Sequence, residues 1–126
     1  MREDDIATEH SGGVLVVEMR GEPDIDAVRQ RTGALEAAVC ELPGPPLLVL
    51  DLGKLEFLSV RGVRGLQDVI ERCRTRRIAG CLIVPPGSEV ERVVRLTGLA
   101  GRVPVFPHRL LAIARYQPVE MRWLPR

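Results

Sequence analysis

The chain has 126 residues, 45% of them hydrophobic, and a formal net charge of +1. This length and composition predict one domain with its own core, and the near-neutral charge excludes a global electrostatic drive toward nucleic acid or an anionic membrane. The first residues, "MREDDIATEH", lack the pattern of a signal peptide, and no apolar run is long enough to span a bilayer. We therefore expect a cytoplasmic protein without a membrane span.

The first half of the chain predicts strands around one helix. Residues 14–21 are β-branched and apolar, and residues 6–9 are expected to pair with them across a glycine turn. Apolar residues at helical spacing predict an amphipathic helix from position 24 or 26 to position 42. The continuous apolar run over 47–52 predicts a strand that is buried on both faces.

The second half repeats this strand-to-helix alternation, which predicts an α/β fold. We expect a mixed central sheet of four or five strands with about four helices packed against it. The predicted elements are a helix after Ser59, a strand over 81–84, a helix over 88–97, a strand over 103–106 and a helix over 107–114.

The last residues lie outside this alternation. We assign residues 1–115 to the domain and residues 116–126 to a C-terminal extension. In this extension Val119, Met121 and Trp123 alternate with charged residues, which is typical of an extra strand or a docking segment. Packing of Trp123 on its own domain is the simpler alternative.

No residue set typical of a catalytic or metal site emerges. The phosphate-loop, dinucleotide, hydrolase and zincin motifs are absent from the sequence. His10 and His108 lack metal-ligand spacing, and we expect surface or capping roles for them. Asp24 and Asp26 flank a helix start, which favours capping or a partner contact over a carboxylate dyad. Asp51 ends a buried strand, where hydrogen bonding to the next loop is favoured over catalysis.

The three cysteines predict neither a disulfide nor a cofactor. Cys40, Cys73 and Cys81 are odd in number, fall in apolar surroundings and lack the spacing of a zinc or redox motif. We therefore expect reduced structural thiols, no metal and no cofactor.

Positive charge is concentrated in one segment. Residues 61–77 contain six arginines against Asp68 and Glu71, whereas residues 1–26 contain eight acidic residues against two arginines. With few aromatic residues and no recognised motif, nucleic-acid binding is poorly supported. A solvated helix face or an acidic protein partner fits this pattern better.

In chain order, several segments resemble the STAS family, the domain of bacterial anti-sigma factor antagonists. These segments are "VLVVEMRGEPDI", "LLVLDLGKLEFLSVRGVRGL", "CLIV", "RVVRLTGL" and "VPVF". The matching motif residues are Gly21, Glu22 and Asp24, with Pro23 in an apolar position, then Asp51, Phe57 and Gly62, and finally the "LTGL" helix end.

The resemblance implies a STAS-like fold and a non-catalytic protein-interaction domain that acts in bacterial signalling and transcription regulation by partner switching. The implied partner is an anti-sigma factor or a GHKL-type kinase-like protein, bound through the turn and helix over 57–72. The expected partner-binding residues are Asp24, Phe57, Leu58, Ser59, Val60, Arg61 and Arg64.

The turn before Gly62 departs from the family pattern. Switching members phosphorylate the hydroxyl residue just before this glycine, and that position is Arg61 here, while Ser59 occupies the family's Asp position. A cation near the positive end of a helix dipole favours a partner carboxylate or a bound anion. Ser59 stays an alternative phosphoacceptor, although a helix cap is the favoured role. We therefore expect binding without the usual phosphoserine switch.

Other interpretations stay open at this point. The chain could be a STAS scaffold, or a ligand- or nucleotide-responsive subunit of a transport or sensory complex. An unrecognised enzyme activity at Asp51 is a third hypothesis, and a homodimer is also compatible with the sequence.

Overall fold

A computed structural model describes residues 6–11, 14–21, 26, 28–30, 33 and 46–116. Residues 26, 28–30 and 33 are helical, and the rest of the helix predicted between 24 and 42 lies outside the described residues, as does the tail with Trp123. The elements are β1 (Ile6–Ser11), β2 (Val14–Gly21), β3 (Leu47–Leu55), α1 (Val60–Thr75), β4 (Ala79–Ile83), α2 (Glu89–Leu96), a 3₁₀ turn (Leu99–Gly101), β5 (Val105–Phe106) and α3 (Arg109–Tyr116).

The strands form one mixed sheet in the order β1-β2-β3-β4-β5. β1 pairs antiparallel with β2, and every later pair is parallel, with Val17 opposite Leu50 and Leu50 opposite Leu82. The parallel strands need helical crossovers, which is why strands and helices alternate from β2 onward. The predicted mixed sheet with packed helices is confirmed.

Strand β3 separates two cores. Leu48, Leu50 and Leu52 belong to the larger core, which includes buried residues of α1 and α2. On the opposite face Leu47 and Val49 belong to a smaller core that includes Ala112 of α3. Because successive side chains of a strand point to opposite faces, this run is apolar at every position from 47 to 50.

Several element bounds differ from the sequence-based ones: β4 covers Ala79–Ile83 rather than 81–84, and β5 covers Val105–Phe106 rather than 103–106. Two further differences have an identifiable reason. β3 continues through Gly53 to Leu55, because β2 still pairs with it there, Gly21 opposite Leu55, after a bulge. The last helix begins at Arg109 rather than 107, because the Nδ1 atom of His108 accepts a hydrogen bond from the Leu110 amide at 3.2 Å. His108, for which a surface or capping role was expected, is exposed and caps this helix.

Arg109 fastens α3 to the sheet. Its guanidinium lies 2.5 Å from Asp51, 2.8 Å from Glu9 and 2.6 Å from Glu18, and these three carboxylates stand on three neighbouring strands. The other oxygen of Asp51 accepts the amide of Gly53 at 2.8 Å. Asp51 therefore forms a structural hydrogen bond, as expected from the sequence, but to Gly53 within β3 rather than to the next loop. It also forms an ion pair that the sequence did not indicate.

Glu18 is the most heavily paired of the three carboxylates. It also lies 3.1 Å from Arg20 and 3.3 Å from Lys54. Partial burial acts to raise the pKa of Glu18, but the hydrogen bonds from Arg20 and Lys54 and the charges of Lys54 and Arg109 outweigh it and hold the pKa below its ordinary value.

Replacing Arg109 should loosen the smaller core. We expect Arg109→Gln to lower the free energy of unfolding by about 2 kcal/mol, because Asp51 stays buried without its cation. Urea unfolding measures this change. The control is Arg115→Gln, an exposed arginine of the same helix, which should shift stability by less than about 0.5 kcal/mol. Equal effects of the two substitutions would show that Arg109 is not the fastening residue.

Lowering the pH should remove the stabilisation that the ionised Glu18 side chain gives to the fold. The pKa of Glu18 is lower in the folded protein than its ordinary value of 4.5, which we take for the unfolded chain. The ionised side chain therefore contributes its full stabilisation of the fold above pH 4.5, and this contribution is lost as the pH falls through the lower folded pKa. We therefore expect Glu18→Gln to be less stable than wild type at neutral pH, with the difference shrinking below pH 4.5. Urea unfolding of both proteins over a pH series measures this, and a difference independent of pH would contradict it.

Candidate functional site

The turn between β3 and α1 is built around a serine cap. Ser59 has extended backbone angles, and its hydroxyl oxygen accepts the amide of Gly62 at 2.9 Å. The Ser59 carbonyl accepts the amide of Val63 at 2.9 Å, which starts the helical hydrogen bonds. The cap predicted for Ser59 is confirmed, and it defines the helix start.

Residues on either side of the cap point in different directions. Leu58 is 5% exposed and packs in the larger core, so it anchors the turn to the body of the domain. Phe57 and Val60 are 52% and 62% exposed, respectively. The turn therefore presents two apolar side chains to solvent next to a fixed helix start.

Arg61 forms an ion pair across to residue 26. Its side chain is 86% exposed, and a guanidinium nitrogen lies 3.5 Å from a carboxylate oxygen of Asp26. Arg29 connects the same Asp26, at 3.1 Å, to Asp68 of α1, at 2.5 Å. Arg72 donates to the carbonyl of Arg29 at 3.1 Å. The cation at the helix start is therefore partly balanced by an acidic residue of the same chain.

Most of the expected contact residues meet at this turn. Phe57, Val60 and Arg61 are exposed around the Ser59 cap, and Arg64 lies one helical turn further, exposed and without an ion pair to any described residue. Leu58, which was also expected to contact a partner, is instead buried in the larger core. Asp24, Cys40 and the side chain of His10 lie outside the described residues. Sequence reasoning missed the Asp26–Arg61 pair, and its only signal was an acidic residue at one helix start and a basic residue at another.

Across the described ranges, no three His, Cys, Asp or Glu residues converge in a way that would hold a metal ion. Cys73 and Cys81 are buried free thiols, and burial raises the pKa of Cys81 to about 12, so this sulfur stays protonated. None of the helices described here has the length and apolarity required to cross a bilayer.

Comparison with known proteins gives this fold a family. The model of the STAS domain matches residues 5–112, and the chain therefore belongs to the STAS domain family. No curated protein sequence matches the chain. Among solved structures, the chain is similar to an anti-sigma factor antagonist from Mycobacterium paratuberculosis, with 30% identity and a TM-score of 0.72 over 92% of this chain and 97% of that one.

Two more distant structures share the fold. A putative anti-sigma factor antagonist from Thermotoga maritima has 14% identity and a TM-score of 0.75 over 89% of this chain and 94% of that one. The unphosphorylated anti-sigma factor antagonist SpoIIAA has 19% identity and a TM-score of 0.68 over 91% of this chain and 98% of that one. The domain is thus antagonist-like in its fold, as the sequence resemblance predicted.

Removing the cap hydroxyl should destabilise the turn. We expect Ser59→Ala to lower the free energy of unfolding by about 1 kcal/mol, because the Gly62 amide loses its acceptor. Ser59→Asp should retain wild-type stability, since its carboxylate caps equally well and also favours the helix dipole. Urea unfolding of the two variants distinguishes these outcomes, and equal destabilisation by both would show that the cap is not what holds the turn.

Proposed function

We propose that this chain is a non-catalytic protein-interaction domain of the anti-sigma factor antagonist type. Its partner is an anti-sigma factor or a GHKL-type kinase-like regulator, bound through the turn and helix over 57–72. The observation that carries this proposal is the exposure of Phe57 and Val60 on either side of the Ser59 cap. The likeness to the Mycobacterium paratuberculosis antagonist supports the same class of partner.

The exposed pair has the features of an interface centre. Aromatic side chains that insert into a partner dominate binding energy at many interfaces, and Phe57 is one of the chain's two phenylalanines. Leu58 and the Ser59 cap hold the backbone on both sides of the exposed residues. A contact surface on such a fixed backbone loses little conformational entropy on binding.

We infer further that binding proceeds without the phosphoserine switch. SpoIIAA has been solved in unphosphorylated and phosphorylated forms, but here Arg61 occupies the position that the family resemblance assigns to the phosphoacceptor. The Ser59 hydroxyl oxygen is engaged in the helix cap. The Arg61–Asp26 pair holds a positive side chain where the switch would add negative charge. Binding is then constitutive or controlled at another site.

Partner capture from the native host tests this proposal. Tagged wild type should retain an anti-sigma factor or a GHKL-type kinase, identified by mass spectrometry. The Phe57→Ser/Val60→Ser variant should retain at least about tenfold less, because the apolar contact is removed. The matched control is Leu110→Ser/Leu111→Ser, which removes two exposed leucines of α3 and should leave capture unchanged.

Three results would overturn the proposal or part of it. An equal loss of captured partner in both double variants would show that binding does not depend on the turn. Specific recovery of transport or sensor proteins would support the scaffold alternative instead. Stoichiometric phosphate on Ser59 of the captured wild type would overturn the switchless part while leaving the partner surface in place.

A further inference from the structure

Helix α1 has two exposed flanks with different surroundings. Its buried residues form one stripe, and the remaining side chains divide by helical spacing to either side of it. We name them by their contacts. The paired flank consists of Arg61, Asp68 and Arg72, and the open flank consists of Val60, Arg64, Gln67, Glu71 and Arg74.

The paired flank is engaged within the chain. Arg61 pairs with Asp26, and Asp68 pairs with Arg29. Arg72 donates to the carbonyl of Arg29. A partner that approached this flank would have to displace these contacts, so the open flank is the less obstructed side.

The open flank borders a groove. A cleft of about 330 Å³ lies between the C-terminal half of α1 and the 3₁₀ turn, with the buried side chains of Ile70 and Leu99 among its lining residues. Arg74 crosses it, 3.4 Å from Glu71 and donating to the carbonyl of Arg102 at 3.3 Å. The groove therefore combines apolar lining residues with charged ones.

The charges of this surface are predominantly positive. Arg64, Arg74 and Arg102 stand against Glu71 alone, and Arg74 already pairs with Glu71. The side chains of Arg64 and Arg102 form no ion pair with any residue in the described part of the chain. The guanidinium groups of Arg64 and Arg102 can therefore pair with negatively charged groups of another molecule.

We propose that the open flank and its groove bind an acidic segment of the partner protein. Its apolar end covers Phe57 and Val60, and its carboxylates face Arg64 and Arg102. Val60 and Arg74 are about 21 Å apart along the helix axis at the usual rise per residue, which gives the length of the contact. This inference rests on the proposed function. It adds the chemical character of the partner's binding segment and the orientation of that segment along α1.

A protein segment fits better than a nucleic acid. The apolar pair at one end favours an apolar counterpart, which leucine-type side chains of a protein supply and a phosphate backbone does not. Phe57 is the only aromatic residue among those named for the proposed contact surface. The successive bases of a nucleic acid would therefore lack a row of aromatic rings on which to stack.

The test uses a fluorescent synthetic peptide of glutamate and leucine, with a matched peptide that has glutamine for glutamate. Fluorescence anisotropy measures binding to Arg64→Glu/Arg102→Glu and to the charge-matched control Arg92→Glu/Arg115→Glu. We expect the acidic peptide to bind wild type and control alike and the first variant about tenfold more weakly, because attraction becomes repulsion. A lysine-for-glutamate peptide should bind the reversed variant better than it binds wild type.

The contradicting results separate this inference from the proposed function. It fails if the acidic peptide binds no better than the glutamine peptide, if both double variants weaken binding equally, or if oligo(dT) binds wild type more tightly than the acidic peptide does. The proposed function survives that failure as long as partner capture still depends on Phe57 and Val60. If capture does not depend on them, the proposed function fails whatever the peptides show.

Discussion

The burial of β3 on both faces is the constraint on which the rest of the structure depends. Its alternating side chains supply two cores at once, so the strand cannot shift by one residue without moving Leu50 to the smaller core and Val49 to the larger one. The point at which β3 ends is therefore fixed, and Leu58 packs into the larger core just beyond it. The exposed turn at Ser59 owes its position to this packing.

The ion pairs fall into two groups with different consequences. Arg109 joins a short helix to three strands, and it lies on the sheet face that holds the smaller core. Arg61, Asp26 and Arg29 instead link α1 to an earlier part of the chain next to the exposed turn. The first group fastens α3 to the sheet, whereas the second, in the inference proposed above, determines which side of α1 a partner can reach.

Local signals in the sequence were sufficient for the strand-to-helix order, the buried run of β3 and the cap at Ser59. They were insufficient for Arg109, whose partner Glu9 is 100 residues away along the chain and forms no periodic pattern with it. The continuation of β3 past Gly53 was not predicted either, because pairing with β2 outweighs the local preference of glycine for a turn. Interactions set by tertiary proximity are those that a single sequence conceals.

The shortness of β5 affects how the sheet meets other chains. This outermost strand has two residues, with Pro104 before it and Pro107 after it, and proline has no amide hydrogen to offer a neighbouring strand. A further strand would find too few free backbone groups there to extend the sheet. Edge-to-edge aggregation is thereby disfavoured on this side of the sheet.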